Sequence, residues 1–195
     1  MRRRKKDPSM SSLSPENHRP EVSTHHLPLS QALNLELSGD QRSELLSEST
    51  GLLRVYRYPQ SSSVEAEGEA LGMEVHTDSS VISILKEDET GGLEIMKGEE
   101  WLRVKPVADT LIINLGDMMQ NEYKGVKHRV KKKDRTRERH SVCYFVFPQR
   151  DCVIKSSNYK PFTYSEFEAQ VQADVQSLGT KVSLHRFSPK SPLFL

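Results

Sequence analysis

Between Met73 and Pro148 the chain alternates short apolar, β-branched runs with polar turn signals. The runs are "VISIL", "GLEIM", "EWLRVKP", "TLIINLG", "GVKHRV" and "RHSVCYFVFP", and the breaks between them include "DETGG", "KGEE", "VAD" and "NEYKG". Short β-rich runs bounded by Gly, Asp, Asn and Pro are the pattern of strands with tight connections. With "GLLRVYRYP" at Gly51–Pro59 and the run that starts at Met73, about eight strands are predicted, which favours an antiparallel barrel or sandwich.

Helical signals flank the strands. In "SGDQRSELLSES", Leu45 and Leu46 share one face of a short helix. In "TYSEFEAQVQADVQSLG", Thr163 and Glu166 have capping-box spacing and Gly179 marks the end. Phe167, Val171 and Val175 form an i, i+4, i+8 stripe, read as a packing face. The chain therefore divides into a disordered, low-complexity leader over 1–37, a short helix over 38–50, a barrel over 51–150, a helical extension over 151–180 and a frayed tail over 181–195. The leader is rich in Ser, Pro and charge and shows neither strand nor helix period.

Composition narrows the function classes. The formal net charge is +1 over 195 residues, which gives no general attraction to nucleic acid. No apolar run approaches the roughly 20 residues that span a bilayer, so no membrane partner is expected. Cys143 and Cys152 are the only cysteines, and with no secretory leader ahead of them they read as free thiols in a reducing compartment. A cytoplasmic monomer is the expectation, and the basic cluster Arg2 to Lys6 leaves nuclear import as a lesser reading. His25 and His26 lack partners in metal spacing and are read as surface residues.

The chemistry sits in "MEVHTDSSVISIL". Residues i and i+2 of an extended segment point to one face, so His76 and Asp78 present an imidazole and a carboxylate together. His128 in "VKHRV" is a third candidate. Two imidazoles and one carboxylate on one face of an octahedral ion leave positions open for a cosubstrate and oxygen, an arrangement that suits non-haem Fe(II). That spacing alone is weak, and a hydrolytic zinc site could use the same three residues. In "RERHSVCYFVFP", Arg139 and Ser141 also share a face, and a guanidinium beside a hydroxyl can hold a carboxylate. Zinc hydrolysis has no use for that pair. Arg137 shares the parity of Arg139 but lacks a hydroxyl at i+2. His140 is expected to point away, Trp101, Cys143 and Phe145 to pack, and Asn114 and Asp117 to set a turn.

The segments "RVYRYP", "MEVHTDSSVISIL", "GGLEIMKGEEWLRVKPVADTLIINLGDMMQ", "YKGVKHRV" and "ERHSVCYFVFP" occur in the order found in plant 2-oxoglutarate- and Fe(II)-dependent dioxygenases. The chain resembles that family from about Ser38 to Gly179, with a gibberellin 2-oxidase flavour. The resemblance implies a double-stranded β-helix, or jelly-roll, fold. It implies that His76, Asp78 and His128 hold iron and that Arg139 and Ser141, assisted by Tyr58, bind the distal carboxylate of 2-oxoglutarate. Molecular oxygen and a small plant metabolite or hormone would be the other reactants, with ascorbate as reductant.

Three departures from the family pattern stand out. The long helical region that precedes the barrel is replaced by the leader. Tyr56 stands where the family has Asn. Gln120 runs directly into Asn121, where the family has about four further strand residues. A shortened strand can change register, and a one-residue slip turns every side chain to the opposite face. The aim of His128 depends on that join. A catalytically impaired, truncated relative that keeps the fold is therefore the alternative to an active enzyme.

Overall fold

The computed structural model describes residues 43–60, 70–119, 123–132 and 136–189. The expected leader lies outside them, as do the start of the expected short helix and the shortened join at Gln120–Asn121. Residues 43–45 are helical, and a 3-10 turn follows at Glu48–Thr50. No helix among the described residues is long and apolar enough to cross a membrane.

Two four-stranded antiparallel sheets form the body. The strands are β1 (Leu52–Tyr58), β2 (Ala70–His76), β3 (Ile82–Glu87), β4 (Leu93–Lys97), β5 (Glu100–Arg103), β6 (Ile112–Leu115), β7 (His128–Lys132) and β8 (Arg139–Val146). One sheet has the order β1-β8-β3-β6 and the other β2-β7-β4-β5. Apart from the β4–β5 hairpin, sequence neighbours thus alternate between sheets through the jelly-roll crossovers, and all eight runs expected to be strands are strands. A two-stranded ribbon, β9 (Val153–Ile154) with β10 (Phe162–Thr163), leads into the helix α1 (Tyr164–Leu178).

Strand parity on the first sheet separates polar from apolar side chains. On β8, Arg139, Ser141 and Cys143 are buried on one face, and on β3 the same face carries Ser83 and Glu87, which lie opposite Phe145 and Ser141. The alternate face carries Ile82 and Val146, paired with each other. These join Val81, Met118, Phe162, Tyr164 and Phe167 in an apolar cluster beneath α1. The sheet therefore turns its apolar side to the helix and its polar side to the second sheet. That leaves polar groups lining the barrel interior, the condition for a ligand site there.

The capping box on α1 forms as expected. Thr163 accepts from the Glu166 N–H, Glu166 reaches back to the Thr163 N–H, and Gly179 closes the helix in the left-handed region at φ 73°. The stripe differs from expectation. Phe167 is fully buried, but Val175 is exposed and Asp174 takes the buried position. At 3.6 residues per turn, position i+7 lies about 20° from i, whereas i+8 has drifted by about 80°.

Residues 181–189 are not frayed. Leu184 is buried, Phe187 packs on Phe162 with ring centroids 4.3 Å apart, and Arg186 pairs with Asp174 at 2.8 Å. Two aromatic contacts and a buried acid fix a segment whose polar text carries no period of its own.

Candidate metal centre

β2 ends where β7 begins, and the antiparallel register sets His76 directly opposite His128. Residues opposite each other in a ladder project to the same side, so the two imidazoles meet with centroids 4.3 Å apart. The ladder between β2 and β7 is irregular between Met73 and His76, which re-aims the strand end. Asp78 follows two residues after His76, its carboxylate Oδ1 lying 3.7 Å from His76 Nε2 and 3.6 Å from His128 Nε2. The ligand atoms of all three residues fall within 4.8 Å of one another. His128 therefore faces the His76–Asp78 pair.

The hydrogen bonds around these residues define which atoms are bare. His76 Nδ1 lies 2.7 Å from the Glu74 carbonyl and His128 Nδ1 2.9 Å from the Val126 carbonyl. A carbonyl oxygen only accepts, so each Nδ1 carries the proton and each neutral ring leaves Nε2 as a lone pair. Burial, and after it the neighbouring His128, hold the His76 pKa below the ordinary imidazole value, which favours that neutral form. Asp78 Oδ2 accepts from Ser83 Oγ and from Asn114 Nδ2, the latter at 2.9 Å. Oδ1 is left facing the two Nε2 atoms beyond hydrogen-bond range. With both rings in the neutral tautomer, the two Nε2 lone pairs and Oδ1 converge on one position, where a bound cation would join them. The N₂O donor set, with His rings fixed by carbonyls and the carboxylate by two donors, fits a divalent first-row metal such as Fe(II).

The loop that carries Asp78 is held from two directions. Asp117 donates its backbone N–H to the Asp78 carbonyl at 2.8 Å, and Gly116 packs so closely that a Cβ there would overlap the Ser80 carbonyl oxygen. From the C-terminal segment, Lys181 Nζ donates to the Thr77 carbonyl at 2.7 Å, to Ser79 Oγ at 3.1 Å and to Asp117 Oδ2 at 2.9 Å. Asp117 sets a turn as expected, but Asn114 has a different part: it holds the Asp78 carboxylate. A polar residue inside the apolar run "TLIINL" was the available signal for Asn114. For Lys181 the sequence offered none.

Arg139 lies on the inner face of β8, fully buried. Its Nε donates to the Gly91 carbonyl, its Nη1 to Ser141 Oγ at 3.1 Å and its Nη2 to Glu87 Oε2 at 2.9 Å. The guanidinium carbon lies 4.8 Å from the Tyr58 ring centroid, because Tyr58 pairs with Arg139 across β1 and β8. Burial raises the Tyr58 pKa, while Arg139 and a hydrogen bond with Ser141 pull it the other way. The structure thus brings Arg139, Ser141 and Tyr58 together, and adds Glu87, which sequence reading missed although it shares strand parity with Ser83. Tyr56 stacks beside Tyr58 at 6.3 Å.

Arg137, His140 and Trp101 lie away from this interior. Arg137 is exposed and pairs with Glu89, and His140 is exposed and pairs with Glu138 at 2.9 Å. Trp101 packs under the Arg129 guanidinium at 3.9 Å. Cys143 is buried beside Ser83 and Asp78; burial, and after it the Asp78 carboxylate, push its thiol up to about 12, while a hydrogen bond with Ser83 pulls it the other way.

Residues 49–148 match the 2OG-Fe(II) oxygenase superfamily. The chain belongs to that superfamily. It is 42% identical to Gibberellin 2-beta-dioxygenase 8 of Arabidopsis thaliana, over 71% of this chain and 42% of that protein. It is 37% identical to Gibberellin 2-beta-dioxygenase 6 of Oryza sativa subsp. japonica, over 72% of this chain and 40% of that protein. Among solved structures, JOX2 in complex with 2OG, Fe and JA superposes with a TM-score of 0.66 at 27% identity, covering 86% of this chain and 52% of that one. The rice dioxygenase for auxin oxidation gives a TM-score of 0.64 at 24% identity, covering 82% and 56%, a likeness of fold. The chain spans about two fifths of the length of the curated relatives it matches. As a member of this oxygenase superfamily it carries the family's jelly roll, with its polar interior at the meeting of β2, β7 and β8.

Proposed function

We propose that this chain is a 2-oxoglutarate- and Fe(II)-dependent dioxygenase that oxidises a small plant metabolite, with a gibberellin as the substrate class to test first. The observation that carries the reading is the convergence of His76 Nε2, His128 Nε2 and Asp78 Oδ1 with both Nδ1 protons committed to backbone carbonyls. In this reading those three residues hold Fe(II), and Arg139, Ser141 and Tyr58 receive the distal carboxylate of 2-oxoglutarate. Strand β8 links the two parts, since Cys143 beside Asp78 and Arg139 at the strand's start share its inner face.

When bound, iron supplies oxygen activation and 2-oxoglutarate supplies two electrons, leaving as succinate and carbon dioxide. The chain's own contributions are orientation and shelter. Ser83 and Asn114 hold the Asp78 carboxylate so that Oδ1 faces the two imidazoles, where the ion would bind. The Glu74 and Val126 carbonyls keep each imidazole in one tautomer. Arg139 would hold the cosubstrate's far end and so orient its keto-acid end toward the three candidate ligands. The gibberellin assignment rests on the names of the relatives above. Ascorbate is the proposed reductant. Both cysteines are free and buried, which supports a reducing compartment such as the cytoplasm.

A second reading keeps the fold without turnover. The observation favouring it is that Nη2 of Arg139 is already engaged by Glu87. Succinate release from the purified chain, supplied with Fe(II), 2-oxoglutarate, ascorbate and a gibberellin panel, separates the two. The dioxygenase reading expects gibberellin-stimulated succinate that is lost in His128→Ala. Folded protein that binds metal yet releases no succinate with or without substrate would favour the second.

A further inference from the structure

We propose that Glu87 is a specificity-determining residue that sets how tightly the cosubstrate's distal carboxylate is held, by acting as a built-in counter-ion on Arg139. The proposal rests on the reading of Arg139 and Ser141 as the carboxylate clamp.

Glu87 ends β3 directly opposite Ser141 on β8, with its side chain inside the barrel. The Glu87 and Arg139 side chains are 3% and 1% exposed, and Nη2 meets Oε2 at 2.9 Å. Charges withdrawn from water to this extent interact strongly, because little solvent screens them. The pair as a whole is neutral. A dicarboxylate reaching this end of the barrel therefore meets a guanidinium whose charge is already balanced, with a second carboxylate next to the place it must occupy. Like charges at that range oppose each other.

The donor inventory points the same way. Of the five N–H groups of Arg139, one reaches Gly91, one Ser141 and one Glu87, and the guanidinium also hydrogen-bonds Tyr58, so among the described residues few are left for an arriving carboxylate. Glu87 Oε1, in contrast, is buried with no hydrogen-bond partner among the described residues. A buried acceptor left bare is unfavourable. The carboxylate is thus not there to complete a hydrogen-bond network of its own. Its effect is on the charge of Arg139.

The consequence is a clamp tuned to weak binding. Removing the charge at position 87 while keeping its volume and an acceptor for Nη2 leaves Arg139 with an unbalanced charge for the cosubstrate. Glu87→Gln does this. The Mn(II)-loaded chain and this variant are titrated calorimetrically, without oxygen, with 2-oxoglutarate and with pyruvate. Pyruvate has the keto-acid end and no distal carboxylate. The variant is expected to bind 2-oxoglutarate about tenfold tighter or more, with pyruvate affinity within about twofold. A merely structural change at this position would move both ligands together.

Binding of 2-oxoglutarate by the variant alone would also support the proposal. Equal or weaker 2-oxoglutarate binding in the variant overturns the role of Glu87, and binding by the unmodified chain then leaves the clamp standing. Pyruvate binding with no 2-oxoglutarate binding to either protein overturns the clamp and this proposal together. Should Glu87→Gln not fold, the unmodified chain gives a second measurement with the distal methyl ester of 2-oxoglutarate. With a neutralised clamp, the ester binds within about tenfold of the acid; a preference for the acid of about a hundredfold or more overturns the proposal.

Discussion

Lys181 Nζ stands 2.9 Å from Asp117 Oδ2 and 2.7 Å from the carbonyl of Thr77, the residue between His76 and Asp78. A side chain just beyond α1 therefore closes the loop that carries two of the three candidate metal ligands. Asp117 is 1% exposed, so removing its counter-ion strands a buried charge. Lys181→Met is expected to lower stability by about 3–5 kcal/mol, read as a shift in the urea midpoint. Lys181→Arg should recover part of the loss. An unchanged midpoint in Lys181→Met would show that the contact contributes nothing.

Asn114 acts on a candidate metal ligand directly. Its amide donates to the Asp78 oxygen that the imidazoles do not face, so Asn114→Ala frees the carboxylate to rotate. Mn(II) or Co(II) affinity should fall about 10- to 100-fold, the range expected when a ligand's outer hydrogen bond is removed. Circular dichroism should show the same strand content. Full metal affinity in the variant would mean that Ser83 alone suffices to orient Asp78.

Gly116 tests how tightly the two loops must approach. A methyl group there would overlap the Ser80 carbonyl oxygen, a backbone atom that cannot swing aside. Gly116→Ala is expected to cost about 3 kcal/mol or more, with loss of metal binding in whatever fraction folds. Thermal and urea unfolding measure it.

Alkaline pH should weaken the fold through its buried thiols and phenols. Burial raises the pKa of Cys143 to about 12 and raises those of Cys152 and Tyr164 as well. A group with a raised native pKa stabilises the fold fully below its unfolded value and loses that contribution as pH rises toward the native one. For Cys143 the loss begins near the ordinary thiol value of about 8.5 and continues to about 12. Unfolding free energy measured from pH 8 to 11 should fall, and Cys143→Ala should flatten the slope. In the native protein at pH 8, neither thiol should react with a thiolate-selective reagent; both should react after unfolding. Fast labelling of the folded chain would contradict their burial.

The sequence by itself determined whatever depends on neighbours along the chain. Parity along β8 put Arg139, Ser141 and Cys143 on one face, and the capping box with Gly179 bounded α1. The i, i+2 rule placed His76 beside Asp78. Each is a local rule, because the backbone repeat relates nearby residues directly. Only the tertiary structure decided the rest. Whether His128 faces the first pair depends on the register between β2 and β7, which no local pattern reports across the shortened join. Asn114, Lys181 and Glu87 gain their parts from strand ends and a distant segment brought together by the crossovers. Their partners lie tens of residues away, and a lone polar residue in the text carries no sign of which buried charge it will meet.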